Sequence, residues 1–277
     1  MNHMQQLNKL VVVALAEDIG QGDVTSAFTI SENTTATMQI VARQELVVCG
    51  LDVLDAVFSC LGGNIKIHKT AKDGDTAQKC AVLAELQGNA RVLLTGERTA
   101  LNIMQRMSGV ATLTLQYAKA VEGTKAVILD TRKTMPGMRA LDKYAVFCGG
   151  GQNHRMRLDD MVLIKDNHIA VCGGIGKAVE RARAQSNLPV EVECDTLEQV
   201  KDALAAKPDR IMLDNMTNAQ LSEAVKMVAG AVALEASGGV NLQTVRAIAE
   251  TGVDYISVGT ITHSAPAVDI GADIVLH

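Results

Sequence analysis

Apolar residues recur every three or four positions in the first segment of the chain and then give way to short extended runs. The helical spacing over residues 4–17 predicts an amphipathic helix that ends at the turn beginning with Gly20. Between residues 35 and 88, short apolar runs are separated by turn sequences, and only residues 51–61 have helical spacing. The predicted strands span residues 38–42, 46–49, 65–68 and 81–86. This mixture predicts a small α+β domain.

After a helix predicted over about residues 89–121, short apolar runs alternate with longer amphipathic segments. The later runs recur at intervals of about twenty residues, as expected for βα units. The predicted strands of this second domain are 126–130, 161–165, 190–194, 210–214, 233–237 and 255–259. Each ends at a polar residue or a glycine: Asp130, Lys165, Glu193, Asp214, Glu235 with Ser237, and Gly259.

The polar strand ends favour a parallel α/β barrel. In such a barrel all strand carboxyl ends open onto one face, so side chains from distant sequence positions converge there. A doubly wound open sheet also places polar strand ends at a crevice and is the alternative. We favour the barrel because no Gly-x-Gly-x-x-Gly turn follows the first strand of the second domain.

Composition excludes some classes of function. Apolar residues make up 48% of the chain and charged residues 21%, as in an ordinary globular protein. Aromatic residues make up only 2%, and there is no tryptophan, so stacking platforms for single-stranded nucleic acid are not expected. The net charge of −5 repels nucleic acid and acidic membranes. An anionic ligand therefore requires a local cationic pocket.

The sequence also gives an expected location and redox state. No basic region followed by an apolar stretch opens the chain, and the longest apolar run, Leu10–Ala16, is too short to span a bilayer. We therefore expect a cytoplasmic protein without a membrane partner. The six cysteines lack zinc-like pairing, so we expect reduced thiols.

Basic residues are concentrated near the ends of the first two strands of the predicted barrel. Arginine's planar fork fits a carboxylate or phosphate, whereas lysine acts as a mobile point charge. The predicted pocket for a multiply charged anion contains Arg132, Lys133, His154, Arg155 and Lys165. The alternative is that these residues are solvated loop charges.

Two glycine-containing turns and two carboxylates complete the candidate site. Ser237-Gly238-Gly239 and Gly259-Thr260 follow the last two strands, where barrels often bind phosphate, although each could be a simple turn. Glu193 and Asp214 could accept ribose hydroxyls or hold hydrated magnesium, or could instead pair with nearby basic residues. The sequence has no HxH or HExxH motif, so we expect Mg²⁺ to arrive with substrate phosphates rather than in a dedicated protein site.

Ordered motifs along nearly the whole chain resemble the quinolinate phosphoribosyltransferase family. The matching segments are 14–20, 22–26, 96–102, 130–134 with 136–137, 149–151 with 153–155, 163–168 and 262–266. The resemblance implies an N-terminal α+β sandwich domain over residues 1–105, joined by the tail 265–277. It also implies an incomplete α/β barrel of about six to seven strands over residues 106–264.

The resemblance further implies an activity: transfer of phosphoribosyl from phosphoribosyl pyrophosphate to quinolinate, with decarboxylation to nicotinate mononucleotide. It implies a homodimer or hexamer in which Arg98 reaches the partner's site. The implied catalytic residues are Lys133, Lys165, Glu193 and Asp214. The implied substrate-binding residues are these four with Arg98, Thr131, Arg132, His154, Arg155, Ser237, Gly238, Gly239, Gly259 and Thr260.

Within this set, the resemblance assigns the quinolinate carboxylates to Arg132, His154, Arg155 and Lys165. It assigns the donor phosphates to Lys133, ribose and magnesium to Glu193 and Asp214, and the 5′-phosphate to the two glycine-containing turns. One alternative is the related protein found with molybdate transport systems. Another, from a different class, is a catalytically silent metabolite-binding barrel.

Overall fold

The structure, a computed structural model, describes residues 3–275. Its helices are α1 (His3–Ile19), α2 (Val24–Thr29), α3 (Asp52–Leu61), α4 (Ala90–Ala120), α5 (Arg139–Cys148), α6 (Asp166–Cys172), α7 (Ile175–Gln185), α8 (Leu197–Ala206), α9 (Asn218–Val228), α10 (Val245–Glu250) and α11 (Thr260–His263). Its strands are β1 (Thr35–Ala42), β2 (Leu46–Val47), β3 (Lys66–Lys69), β4 (Thr76–Ala77), β5 (Val82–Asn89), β6 (Val127–Leu129), β7 (Val162–Ile164), β8 (Val190–Cys194), β9 (Arg210–Asp214), β10 (Ala233–Ser237), β11 (Tyr255–Ser257) and β12 (Ile270–Val275). None of the helices within residues 3–275 combines the length and the apolar character that a membrane span requires.

Residues 3–115, 134–150 and 262–275 form one compact unit. Its main sheet has the antiparallel order β12-β1-β5-β3, so the last described strand pairs with the first. Alternating residues of β1, including Met38 and Ile40, are buried because one face of the sheet packs into an aliphatic core. The structure adds four elements to those predicted for this unit: α5, β12, β4, which pairs with β2, and α2, whose first turn is capped by Asp23.

The long helix α4 approaches the C-terminal segment closely at Gly109. A Cβ placed on Gly109 would lie 2.1 Å from the backbone oxygen of Pro266. Backbone atoms must shift to admit it, so we expect Gly109→Ala to lower the free energy of unfolding by about 1–3 kcal/mol in urea denaturation. The matched control is Gly176→Ala in α7, where a Cβ meets open space. Equal denaturation midpoints for the two variants would contradict the close approach.

Residues 116–133 and 151–261 form the second compact unit. Its six strands are parallel and follow the order β6-β11-β10-β9-β8-β7. Strands β7 to β11 pair in sequence order, and β11 pairs with β6, so the sheet curls round to its first strand and is open only between β6 and β7. This order defines a barrel and overturns the doubly wound alternative. Beyond β6, Leu129 forms a single parallel bridge with Gln152.

The barrel strands separate apolar from reactive side chains by simple alternation. Val190, Val192 and Cys194 of β8 are buried, while Glu191 and Glu193 lie on the opposite face. In the parallel register, Glu193 is level with Met212, and Asp214 is level with Ser237. The face of β8 that carries Glu191 and Glu193 therefore points into the barrel, and Glu193, Asp214 and Ser237 lie near the strand ends at its mouth.

Candidate active site

A cavity of about 420 Å³ lies at the carboxyl ends of the barrel strands, within the size range of small-molecule sites. It is lined by Thr131, Arg132, Lys133, His154, Arg155, Leu163, Lys165, Glu193, Met212, Asp214, Glu235, Ser237 and Ser257. The five predicted cationic residues therefore share one cavity, as do Thr131, Glu193, Asp214 and Ser237. Because all five cationic side chains line the same cavity, they are not separate loop charges that face solvent independently.

Two arginines give the cavity a concentrated positive charge. Burial, and next the positive charge of Arg132, lower the pKa of Arg155. The Arg155 side chain is held in place because its Nη1 donates a hydrogen bond to the backbone oxygen of Met161 at 3.1 Å. Because like charges are close together, an anion bound between them would be stabilised by both.

Protein atoms lie close to both ring nitrogens of His154. Its Nδ1 accepts a hydrogen bond from the backbone N–H of Arg155 at 2.7 Å, so a neutral ring carries its proton on Nε2. Nε2 lies 2.9 Å from Glu191 Oε2 and 3.6 Å from Glu235 Oε2. The backbone N–H of His154 donates to Asp130 at 2.9 Å. Ring orientation is thus set from inside the barrel.

Glu191, Glu235 and Arg210 form a charged layer inside the barrel that the sequence analysis did not assign to the site. Both glutamates are 0% exposed, and Arg210 Nη1 lies 2.8 Å from Glu235 Oε2. The Arg210 guanidinium also stacks 4.1 Å from the ring centre of Tyr255. The sequence contains a signal for this layer: in Val190–Cys194, glutamates occupy alternate positions of one strand and must share a face.

The pKa values of the buried glutamates predict a pH-dependent stability. Burial raises the pKa of Glu191, and likewise that of Glu235, from 4.5 to about 7. Between these values the folded state binds more protons than the unfolded state, so the free energy of unfolding falls as pH rises from about 5 to 7.5. We expect Glu191→Gln to reduce this fall by on the order of 2 kcal/mol, measured by denaturant titration at several pH values.

Glu223, an exposed residue of α9, provides the matched control for that measurement. Glu223→Gln should leave the slope of stability against pH unchanged. A Glu191→Gln slope equal to that of the unsubstituted chain would mean that Glu191 is ionised normally in the folded state.

The two strand-end carboxylates have different neighbours. Glu193 forms an ion pair with Lys165 Nζ, so the alternative of pairing with a basic residue is realised for this carboxylate. Asp214 Oδ2 accepts a hydrogen bond from the Asn215 side chain at 2.6 Å. Oxygen donors at neighbouring strand ends fit the preference of Mg²⁺ for carboxylate and water ligands. The donor set is therefore compatible with a magnesium ion that is also bound by phosphate oxygens.

The predicted phosphate turns follow β10 and β11 directly. Gly238 and Gly239 have positive φ angles of 94° and 62°, which favour glycine. A Cβ on Gly238 would lie 2.1 Å from Asn215 Oδ1, whereas Gly239 faces open space. Gly259 precedes α11, and Thr260, its first residue, lies 3.3 Å from the Tyr117 hydroxyl through Oγ1. The turn residues lie close to the strand ends but do not line the 420 Å³ cavity: Gly238, Gly239, Gly259 and Thr260.

Arg98 lies on α4 in the first unit, where its side chain is 58% exposed and 3.8 Å from Glu97. Its predicted role concerns a partner subunit and remains a prediction.

An incomplete parallel barrel with a cationic cavity at its strand carboxyl ends, in a chain that also contains an α+β unit, places the protein in the class of α/β-barrel proteins. Two family models match this chain: "Quinolinate phosphoribosyl transferase, N-terminal domain" over residues 23–108 and "Quinolinate phosphoribosyl transferase, C-terminal domain" over residues 110–273. The chain belongs to the quinolinate phosphoribosyltransferase family. The predicted family and fold class are confirmed.

Individual relatives match along nearly their whole length. A Bacillus subtilis protein named probable nicotinate-nucleotide pyrophosphorylase (carboxylating) is 44% identical over 278 residues, which cover 100% of this chain and 96% of that protein. A Mycobacterium leprae nicotinate-nucleotide pyrophosphorylase (carboxylating) is 46% identical, with 94% of each chain covered. The solved nicotinate-nucleotide pyrophosphorylase from Francisella tularensis is 43% identical, with a TM-score of 0.94 over 98% of this chain and 96% of that one.

Proposed function

We propose that this chain transfers the phosphoribosyl group of phosphoribosyl pyrophosphate to quinolinate, releasing pyrophosphate and carbon dioxide and forming nicotinate mononucleotide. The names of its relatives support this activity. The observation that supports it most strongly is that Arg132, Lys133, His154, Arg155 and Lys165 line one cavity. A diacid and a polyphosphate together need such a concentration of positive charge.

In this proposal the protein acts through orientation and charge. The pyridine nitrogen of quinolinate attacks the anomeric carbon while pyrophosphate leaves, so the transition state needs fixed neighbours and a neutralised leaving group. The ribosylated ring is cationic and stabilises the carbanion that remains when the adjacent carboxylate departs. No covalent intermediate and no obligatory general base are required. Arg132, Arg155 and Lys165 bind the carboxylates, and Lys133 faces the donor phosphates.

His154 has a supporting part in this scheme. Its Nδ1 holds the backbone of Arg155, and its Nε2 faces Glu191. It therefore orients the arginine beside it, in addition to any contact with a quinolinate carboxylate.

Glu193 and Asp214 would bind the ribose hydroxyls and a magnesium ion that accompanies phosphoribosyl pyrophosphate. When bound, that ion neutralises the pyrophosphate leaving group. The turns Ser237–Gly239 and Gly259–Thr260 would supply backbone N–H groups to the 5′-phosphate.

We also propose a homodimer, alone or within a hexamer, in which Arg98 completes the partner's site. Mixed dimers of Arg98→Ala and Arg155→Ala subunits contain one site with both arginines intact. Co-expressing the two inactive variants should therefore restore about a quarter of the normal activity, because half of the dimers are mixed and each has one working site. Activity no higher than that of either variant alone would contradict a shared site.

A cytoplasmic location is part of the proposal, since bacterial relatives match over the whole chain. Location varies among relatives, because several plant proteins have names that include mitochondrial or chloroplastic.

The test is to incubate the purified chain with quinolinate, phosphoribosyl pyrophosphate and Mg²⁺, and to follow nicotinate mononucleotide and carbon dioxide together. Equal amounts of both products are expected. Turnover of nicotinate or another base without turnover of quinolinate would favour a phosphoribosyltransferase of different specificity. Binding of both substrates without turnover would favour a silent metabolite-binding barrel.

A further inference from the structure

Two cysteines of the first unit lie side by side. Cys49, two residues after β2, is buried, and Cys148, the last residue of α5, is partly exposed. Both are free thiols, and their Sγ atoms lie within 4.8 Å of each other and of a carboxylate oxygen of Asp73. A disulfide has an S–S length of about 2.05 Å, so an approach of at most about 3 Å would join them.

The backbone on each side of this pair is held in place. The Ser108 hydroxyl donates to the backbone oxygen of Cys49 and accepts from its N–H, each at 3.0 Å. Gly149, which follows Cys148, is so close to α4 that a Cβ would lie 2.3 Å from the oxygen of Ala111. The proximity of the two thiols is therefore built into the packing of the unit.

The carboxylate beside the thiols is already bound by other groups. Asp73 Oδ2 accepts hydrogen bonds from the Gly50 N–H and the Tyr144 hydroxyl, each at 3.0 Å, and Oδ1 accepts from the Leu51 N–H at 3.1 Å. A metal would have to compete with three donors for this carboxylate. Two thiols and one occupied carboxylate also fall short of the four ligands of a structural zinc site. The arrangement thus favours thiol chemistry over metal binding.

The two thiols differ in reactivity. A hydrogen bond with Cys49 lowers the pKa of Cys148, against the opposing effect of burial. A hydrogen bond with Cys148, followed by burial, raises the pKa of Cys49. Because the thiolate is the reactive form, Cys148 is the sulfur that reacts first, and Cys49 is the neighbour that can react with its product.

We propose that Cys148 and Cys49 are an oxidative modification site, at which a hydroperoxide converts the two thiols into an intramolecular disulfide. The Cys148 thiolate attacks one peroxide oxygen, the O–O bond breaks, and the departing oxygen is protonated to water, or to an alcohol from an organic peroxide. This leaves a sulfenic acid on Cys148. The Cys49 sulfur then attacks the Cys148 sulfur, the S–S bond forms, and the S–O bond breaks. Hydroxide takes the Cys49 proton and leaves as water, so two electrons have passed from the sulfurs to the peroxide.

The test uses the full chain treated with hydrogen peroxide and mapped by mass spectrometry without reduction. We expect a linked pair of peptides containing Cys49 and Cys148, lighter by two hydrogen atoms than the separate peptides. Titration of the denatured protein should then find two fewer thiols than the six of the untreated chain, and dithiothreitol should restore them. Oxidation of the exposed Cys60 and Cys80 while Cys49 and Cys148 stay reduced would overturn the proposal.

Single substitutions separate the two roles. In Cys49→Ser the sulfenic acid on Cys148 has no neighbouring thiol, so dimedone should label Cys148. In Cys148→Ser, Cys49 should remain a thiol. Cys60→Ser is the matched control and should keep the Cys49–Cys148 link. A zinc ion that purifies with the protein and protects both thiols from peroxide would also overturn the proposal, and this outcome can be read on the unsubstituted chain.

Discussion

Replacing Arg155 with alanine is expected to lower kcat/KM for quinolinate by about 10²–10³-fold, because truncating one partner of a buried charged pair costs about 2–5 kcal/mol. The KM for phosphoribosyl pyrophosphate should change much less. Steady-state kinetics with each substrate varied in turn measures both values. The effect should be confined to quinolinate, because Arg155 lines the cavity beside Arg132. Its hydrogen bond to the Met161 backbone oxygen orients the guanidinium before quinolinate binds.

Arg157 provides the control for this substitution. It lies two residues further on, but its side chain is 57% exposed and paired with Asp159. Arg157→Ala should therefore leave both kinetic constants nearly unchanged. Arg155→Lys should lower kcat/KM for quinolinate by less than Arg155→Ala does, because lysine keeps the charge but cannot form the two parallel hydrogen bonds that arginine makes to a carboxylate. Equal losses for quinolinate and phosphoribosyl pyrophosphate in Arg155→Ala would contradict a carboxylate-binding role.

Replacing Glu193 with alanine is expected to lower kcat by about 10²–10³-fold, the usual cost of removing one fixed polar group from a reacting centre. Glu193 would hold the ribose and its magnesium ion, so KM for phosphoribosyl pyrophosphate should rise as well. Lys165→Ala should instead raise KM for quinolinate. The measurement is the full set of kinetic constants for both single variants and the double variant.

The double variant distinguishes a substrate role from a purely internal ion pair. If Glu193 served only to pair with Lys165, each single substitution would produce the same defect, and the double substitution would add nothing further. If the two residues act on different substrates, the defects affect different constants and accumulate. Glu223→Ala, on the exposed side of α9, is the control for loss of one carboxylate.

The barrel strands were predicted to within two residues at either end, because a buried parallel strand is a compact apolar run with polar residues at its end. Arg132, Lys133 and Lys165 were predicted as cavity residues for the same reason, since they follow β6 and β7. His154 and Arg155 instead follow α5, just after Gln152 bridges to the end of β6. Helix α5 was missed. Its buried positions include Asp142 and Lys143, which break the amphipathic pattern. Asp142 is accommodated because Arg106 lies 3.1 Å away and because the Met135 N–H donates a hydrogen bond to its carboxylate.

Contacts between residues far apart in the sequence could not be predicted from hydrophobic patterns. The pairing of β12 with β1 joins residues at opposite ends of the chain. The family resemblance implied only that the last residues join the first domain, and the pairing itself was not predicted. The charged layer of Glu191, Glu235 and Arg210 was missed because its members lie on three different strands. Alternation indicates which face each residue occupies, but register decides that they meet.

The central claim is that the cavity's positive charge recognises two adjacent carboxylates on one ring. The most direct measurement compares kcat/KM for quinolinate with that for nicotinate, which has the same ring and one carboxylate fewer. A ratio of at least about a hundredfold in favour of quinolinate is predicted, because nicotinate lacks the second carboxylate and would leave part of the cationic cavity without an anionic partner. Equal values, or a preference for nicotinate, would contradict the account.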